Sequence, residues 1–306
     1  MNEIVDINLD SRGNILPPKT DKIALIDADT LVFAACVSSE VREELLPKSF
    51  YTDIEWMEIE QNPYFDYESH TLGSIDMDLA YQNAMEKLNN LLDKTGCCDY
   101  ELHFTGGNKS SFRYTMVTSE YKANRREFIP PVGLLQLKIL FTQKNPSKCF
   151  VHTCMEADDA VVARKDALPD KYILCAVDKD VLYSLEGTHF NYYTSVKYDI
   201  DMKWIEVGKD QAMKHHFTQV LTGDPGDNVI GLHGIGPKKA DKILADCTTP
   251  DECWKAVREA YEENGRNIID AIINMRLVSM NQVKYYPETD SYKLKLYGKD
   301  EYERCE

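Results

Sequence analysis

KYILCAVDKDVL, residues 171–182, is a nearly unbroken apolar run that stops on Asp178 and passes through Asp180 into helical composition. A run of this length and make-up suits a strand covered on both faces, as in a parallel sheet. The same grammar recurs on either side of it. KIALID (22–27) ends on Asp27 and is followed by LVFAACV, YELHFT (100–105) reads as a second strand, and KCFVHT (148–153) reads as a third, leading into the helix that EADDAVVARKDAL begins. Helical patterns lie between them: IDMDLAYQNAMEKLNNLLDK sets Leu79, Met85, Leu88, Leu91 and Leu92 near one face with Ser74 as N-cap, and VGLLQLKILF follows two prolines. Strands alternating with helices predict an α/β fold, a mostly parallel sheet flanked by helices, with ligands beyond the carboxyl ends of the strands.

After a further strand at HFNYYT the chain turns helical, so a boundary is expected near residue 205. On this reading residues 1–205 form a catalytic α/β domain and residues 206–306 a helical one, its last two dozen residues unassigned. Residues 38–73 carry aromatics, two prolines and many acids without clean periodicity and read as an excursion. The chain of 306 residues has a formal charge of -16, and charge has to be taken by region because binding follows local potential. Residues 40–78 hold eleven acids against Arg42 and Lys48, whereas residues 109–126 hold five basic side chains against Glu120 alone. No window approaches a membrane span and no signal segment opens the chain; nine cysteines without zinc spacing fit reduced thiols, so a cytoplasmic protein is expected.

Carboxylates stand where the strands end. Asp27 closes the first, Glu156, Asp158 and Asp159 follow the third, Asp178 and Asp180 follow the fourth, and Asp224 and Asp227 occur in LTGDPGDN. Singly, EADD is an acidic first helical turn and GDPGD a run of turn formers. Together at one sheet edge they would repel one another unless cations neutralised them, and hard divalent ions such as Mg²⁺ or Mn²⁺ suit oxygen ligands. Two such ions suit phosphodiester hydrolysis. Downstream, GLHGIGPKKADKIL sets Gly234 and Gly236 before a helix start at Pro237, leaving backbone N–H groups to meet phosphate beside Lys238, Lys239 and Lys242. A second basic element, SSFRYTMVTSEYKANRRE, supplies Arg113, Lys122, Arg125 and Arg126, with Tyr121 to stack on a base.

SEYKANRR, MEADDAV, AVDKDVL and LTGDPGDNVIGLHGIGPKKADKIL resemble, in order and spacing, the 5′-nuclease family: flap endonucleases, the 5′-nuclease domain of bacterial DNA polymerase I, and above all the 5′-3′ exonucleases of T-odd phages. The resemblance implies a PIN-like sheet with a helix-three-turn-helix (helix-hairpin-helix) module. It implies that Asp27, Glu156, Asp158, Asp159, Asp178, Asp180, Asp224 and Asp227 bind two Mg²⁺ ions, for which Mn²⁺ can substitute. It also implies that Lys122, assisted by Arg125 or Arg126, approaches the scissile phosphate, and that the segment from Gly234 to Ala240 holds duplex DNA through K⁺ and backbone amides. One departure stands out, since the family has an aspartate where the second strand ends and this chain has Thr105, Gly106 and Gly107, with Asn108 as a substitute through water.

The implied activity is a Mg²⁺-dependent 5′-3′ exonuclease on duplex DNA, extending to RNA primers in RNA–DNA hybrids and to short 5′ flaps, encoded by a phage and working in the bacterial cytoplasm. The alternative is a DNA end or junction binder of the same fold whose chemistry went with the missing aspartate. The acidic excursion is either a docking site for a replication protein or a plain surface insertion.

Overall fold

The computed structural model describes residues 16–107, 109–125, 128–195, 197 and 200–298, and the backbone of 303–305. In chain order the strands are β1 (Thr20–Asp27), β2 (Glu40–Glu44), β3 (Phe65–Asp66), β4 (Thr71–Ile75), β5 (Cys97–Thr105), β6 (Cys149–His152), β7 (Tyr172–Ala176), β8 (Gly187–Asn191), β9 (Lys203–Val207), β10 (Gly223–Asp224), β11 (Val229–Ile230), β12 (Val283–Tyr286), β13 (Ser291–Leu294) and β14 (Glu303–Cys305). The helices are α1 (Asp29–Ser39), α2 (Asp53–Gln61), α3 (Met77–Thr95), α4 (Leu134–Lys144), α5 (Ala157–Ala167), α6 (Lys179–Leu182), α7 (Lys209–Thr222), α8 (Pro237–Ile243), α9 (Pro250–Glu263) and α10 (Ile268–Val278).

The central sheet runs β6-β5-β1-β7-β8-β9. β1 pairs in parallel with β5 and β7, and β7 with β8, while β9 returns antiparallel. The expected α/β architecture is therefore present, and its middle strands are the apolar runs that suggested it: Leu25, Ile26, Leu102, Leu174 and Cys175 are fully buried. In register, Asp27 faces His103 and Ile26 faces Cys175, so the ends of β1, β5 and β7 lie side by side.

The chain packs as two compact units, and none of the four borders between them falls near residue 205. One comprises the described parts of Met1–Ala28, Leu91–Arg126 and Phe150–Glu306; the other comprises Asp29–Asn90 and the described part of Glu127–Cys149. The C-terminal region stays with the sheet because its strands return to α5: Val283, Tyr285, Leu294 and Leu296 share a core with Phe112, Met155, Ala160 and Ala163. A second core holds α7 to α10 together around Val220, Leu221, Leu244, Val257, Tyr261 and Met275.

In the other unit the excursion is folded. β2, β4 and β3 form an antiparallel sheet, and α2 opens with a capping box in which Thr52 and Glu55 satisfy each other's backbone. Trp56 is the buried residue of α2 and packs on Tyr51, Phe65 and His70, so an aromatic cluster replaces a periodic stripe. In α3 the buried face is Ala80, Ala84, Leu88 and Leu91; Leu79 is exposed, and Asp76, not Ser74, accepts the Leu79 N–H at 2.9 Å. Seven described cysteines are free thiols, as expected, but Cys154 is held in a disulfide.

Candidate metal centre

Glu156, Asp158 and Asp159 offer carboxylate oxygens within 4.8 Å of one another, at the start of α5 just beyond β6. Glu156 is the N-cap residue, and its own N–H reaches Asp159 Oδ2 at 3.2 Å. Facing them is the segment that carries Tyr121, Lys122 and Arg125. Lys122 Nζ lies 2.5 Å from Glu156 Oε1 and 3.8 Å from Asp227 Oδ2, while the Tyr121 hydroxyl is 2.8 Å from both Glu156 Oε2 and Asp227 Oδ2. Arg125 Nη2 donates to Asp227 Oδ1 at 2.7 Å.

Backbone contacts clamp the basic loop to GDPGDN. Lys122 N donates to Asp227 O, Asn124 Nδ2 to Pro225 O and Asn228 Nδ2 to Glu120 O, at 3.0, 2.8 and 2.8 Å. Lys122 takes φ 56°, a left-handed conformation costly for a side-chain-bearing residue and held here by these bonds. Gly223, also at positive φ, gives the close approach the loop needs, because a Cβ there would meet Gly231 N at 2.3 Å.

A second group of acids stands at the end of β7. Asp178 caps α6 by accepting the Asp180 N–H at 2.8 Å, and Asp224 accepts the Gly226 N–H at 2.8 Å. The acids form one electrostatic neighbourhood. Burial, then repulsion from Asp159 and Glu156, pushes Asp158 well above the usual carboxylate range. Burial and the charges of Asp180, Asp227 and Asp224 raise Asp178, and burial followed by Asp227 raises Asp224. Glu156 goes the other way because Lys122 and Arg113 outweigh its burial. Asp180 is likewise held down, against its burial, by His215. Asp27 is buried at the end of β1, in the register position next to these groups.

Two expectations need correction. Arg113 does not face a phosphate backbone: it is fully buried, and its guanidinium makes a two-pronged pair with Asp159 (2.5 and 2.8 Å) while Nε donates to Leu277 O at 2.7 Å. Tyr121 does not offer a face for stacking, being 5% exposed with its hydroxyl given to Glu156 and Asp227. Asp159, one of the three acids of the cluster, has both oxygens in contact with Arg113 and one with the Glu156 N–H, whereas Asp158 is the member without a cationic partner at bonding distance among the described residues.

Thr105, where the family pattern has an aspartate, accepts the Ala157 N–H at 2.9 Å and so satisfies a first-turn donor of α5. Gly106 passes close to β6, since a Cβ there would sit 2.9 Å from His152 O. Asn108 and Arg126 lie outside the described residues. Gly234 (φ 72°) and Gly236 are exposed in the turn ahead of α8 and Lys238 and Lys239 in its first turn, and Lys239 Nζ donates to the Gly234 carbonyl at 2.7 Å. His215, which the sequence reading passed over, lies with Nε2 3.3 Å from Asp180 Oδ1.

The sheet is mostly parallel and acids from four chain segments stand near its carboxyl edge, and solved 5′-nucleases superpose on the chain. The T5 5′-exonuclease with bound zinc superposes with a TM-score of 0.53 at 15% identity, covering 84% of this chain and 89% of that one. Flap endonuclease-1 from Methanococcus jannaschii gives 0.52 at 13% identity, covering 92% and 85%. The chain has the 5′-nuclease fold. In sequence it is 31% identical to DNA polymerase I of Rhizobium leguminosarum over 177 residues, 54% of this chain and 17% of that protein, and 24% identical to that of Borreliella burgdorferi over 199 residues, 59% and 21%. The chain thus spans about a fifth of these curated relatives, and no family model matches it.

Proposed function

We propose that the protein is a Mg²⁺-dependent 5′-3′ nuclease acting on duplex DNA from a 5′ end. The observation that carries this is the convergence of Glu156, Asp158, Asp178, Asp180, Asp224 and Asp227 into one field beside Lys122 and Arg125. The donor set fits the implied ions: all are hard carboxylate oxygens, and Asp158 is crowded by like charges that a cation would relieve. Two divalent ions, Mg²⁺ or Mn²⁺ in its place, would supply Lewis acidity at the phosphate and lower the pKa of an attacking water. Asp27, Glu156, Asp158, Asp159, Asp178, Asp180, Asp224 and Asp227 would hold them, Asp159 also fixing the first turn of α5 through its contact with the Glu156 N–H.

The chain's own part is positioning and charge. Lys122, held by its backbone bond to Asp227 and by Glu156, presents an ammonium to the phosphate where negative charge grows in the transition state. Arg125, half of it in solvent, steadies the flanking backbone. Gly234, Gly236, Lys238 and Lys239 grip the duplex further along, and K⁺ at that turn would take the Gly234 carbonyl from Lys239. RNA–DNA hybrids and short 5′ flaps are further substrates under this reading, the acidic excursion a dock for a replication protein, and a phage-infected bacterial cytoplasm the setting.

The test is product sizing on 5′-labelled blunt, recessed and flapped duplexes with Mg²⁺ or Mn²⁺. Asp178→Asn should abolish cleavage while duplex affinity stays within about threefold, since it removes a ligand and not a phosphate contact. Turnover retained in that variant refutes the assignment. A protein that binds ends with high affinity and cleaves under neither metal supports the catalytically silent reading, for which the Thr105 replacement is the motivating observation.

A further inference from the structure

His215 sits on α7, a helix that the acids at the strand ends do not include. Its Nε2 points at Asp180 Oδ1 across 3.3 Å, and each of these two atoms is shielded from solvent without a hydrogen bond of good geometry. Gln219, one turn further on the same face of α7, has its Oε1 in the same condition. His215 and Gln219 are close enough to hold the Asp180 carboxyl down, yet His215 Nε2, Gln219 Oε1 and Asp180 Oδ1 itself are buried without a well-formed hydrogen bond.

Such a cluster is uneconomical as a salt bridge and sensible as part of a coordination sphere. A charge-assisted N–H···O bond closes to about 2.7–2.9 Å. Nitrogen and oxygen atoms that share one ion at about 2.1 Å each stand about 3.0–3.4 Å apart at octahedral or tetrahedral angles. The observed 3.3 Å falls in the second range. The imidazole is also held in place, its ring 5.8 Å from that of Tyr183 at 41°.

We propose that His215 is a nitrogen ligand of the cation that Asp180 holds, which gives this half of the site a mixed nitrogen and oxygen character and a preference for Mn²⁺ or Co²⁺ over Mg²⁺. The inference rests on the reading of the acids as a divalent-ion site. Imidazole raises affinity for first-row transition ions, whereas Mg²⁺ gains little from leaving oxygen ligands.

The experiment uses the full chain, stripped of metal, titrated with Mn²⁺ and followed by electron paramagnetic resonance without any substrate. The spin-echo modulation should carry the ¹⁴N frequencies of a bound imidazole and change when histidine is labelled with ¹⁵N, a readout that needs no variant. His215→Phe, which keeps a ring against Tyr183, should lose that modulation. Its Mn²⁺ affinity should fall tenfold or more while calorimetric Mg²⁺ affinity changes less than threefold. Mn²⁺ bound by the unaltered chain with no nitrogen coupling, or coupling that survives in His215→Phe, overturns the proposal and leaves the nuclease reading standing. Failure of the unaltered chain to bind Mn²⁺ even at millimolar concentration sinks both.

Discussion

Replacing Arg113 with methionine removes one partner of a fully buried ion pair and leaves the other in place. The guanidinium and the Asp159 carboxylate both have no exposed side-chain surface, and the pair is two-pronged, with a further bond to the Leu277 carbonyl. Stranding a buried charge in this way costs about 3–5 kcal/mol. At roughly 2 °C per kcal/mol for a chain of this size, the midpoint of thermal unfolding should fall by about 6–10 °C. Methionine approximates the lost volume, so the loss is electrostatic and should be recovered in large part by Arg113→Met with Asp159→Leu. The penalty should also shrink in acid: without Arg113 the carboxyl of Asp159, already pushed up by burial, has its folded pKa above the unfolded one, so stability is kept at low pH and lost as pH rises. Urea unfolding in EDTA, run near pH 5 and near pH 8, measures all three quantities. A single variant destabilised by less than about 1 kcal/mol, or a double variant no more stable than the single, refutes the claim that the pair organises the first turn of α5.

Thr105→Val keeps the shape but deletes the acceptor for the Ala157 N–H, and should cost about 0.5–2 kcal/mol in chemical unfolding; no loss would mean that the cap is ornamental. Asp158, Asp178 and Asp224 are raised by burial and by repulsion from neighbouring acids, so the metal-free protein loses their share of stability as pH climbs above the ordinary carboxylate range. The gain in unfolding temperature from Mg²⁺ should therefore widen from about pH 5 to pH 8, and a gain that stays flat counts against the crowding. Lys122→Ala should lower single-turnover cleavage by about a hundredfold with a much smaller change in duplex affinity; equal losses in both would make Lys122 a binding residue.

The sheet was legible because its strands are short apolar runs that stop on acids, so one pattern marked both the elements and the edge where Asp27, Glu156 and Asp178 stand. The excursion was opaque for a physical reason: Trp56, Tyr51, Phe65 and His70 build a core from rings spaced irregularly along the chain, and hydrophobic period has nothing to register there. The C-terminal hairpin carried a readable alternation, Val283 with Tyr285 and Leu294 with Leu296, that a mixed composition disguised. Arg113 misled because a basic residue in a basic segment invites a phosphate. Its neighbour Phe112, equally buried, was the signal that the segment turns inward at that point. His215 left no mark in the sequence, since its meaning depends on Asp180, thirty-five positions earlier.

Glu156 both caps a helix and belongs to the acid cluster, and that double duty has a kinetic corollary. Whenever the opening turn of α5 frays, Glu156 leaves Lys122 and Tyr121, so under the proposed function readiness for chemistry should track local melting. Slowed amide exchange at Asp158 and Asp159 would then serve as a gauge of the fraction of molecules poised to act.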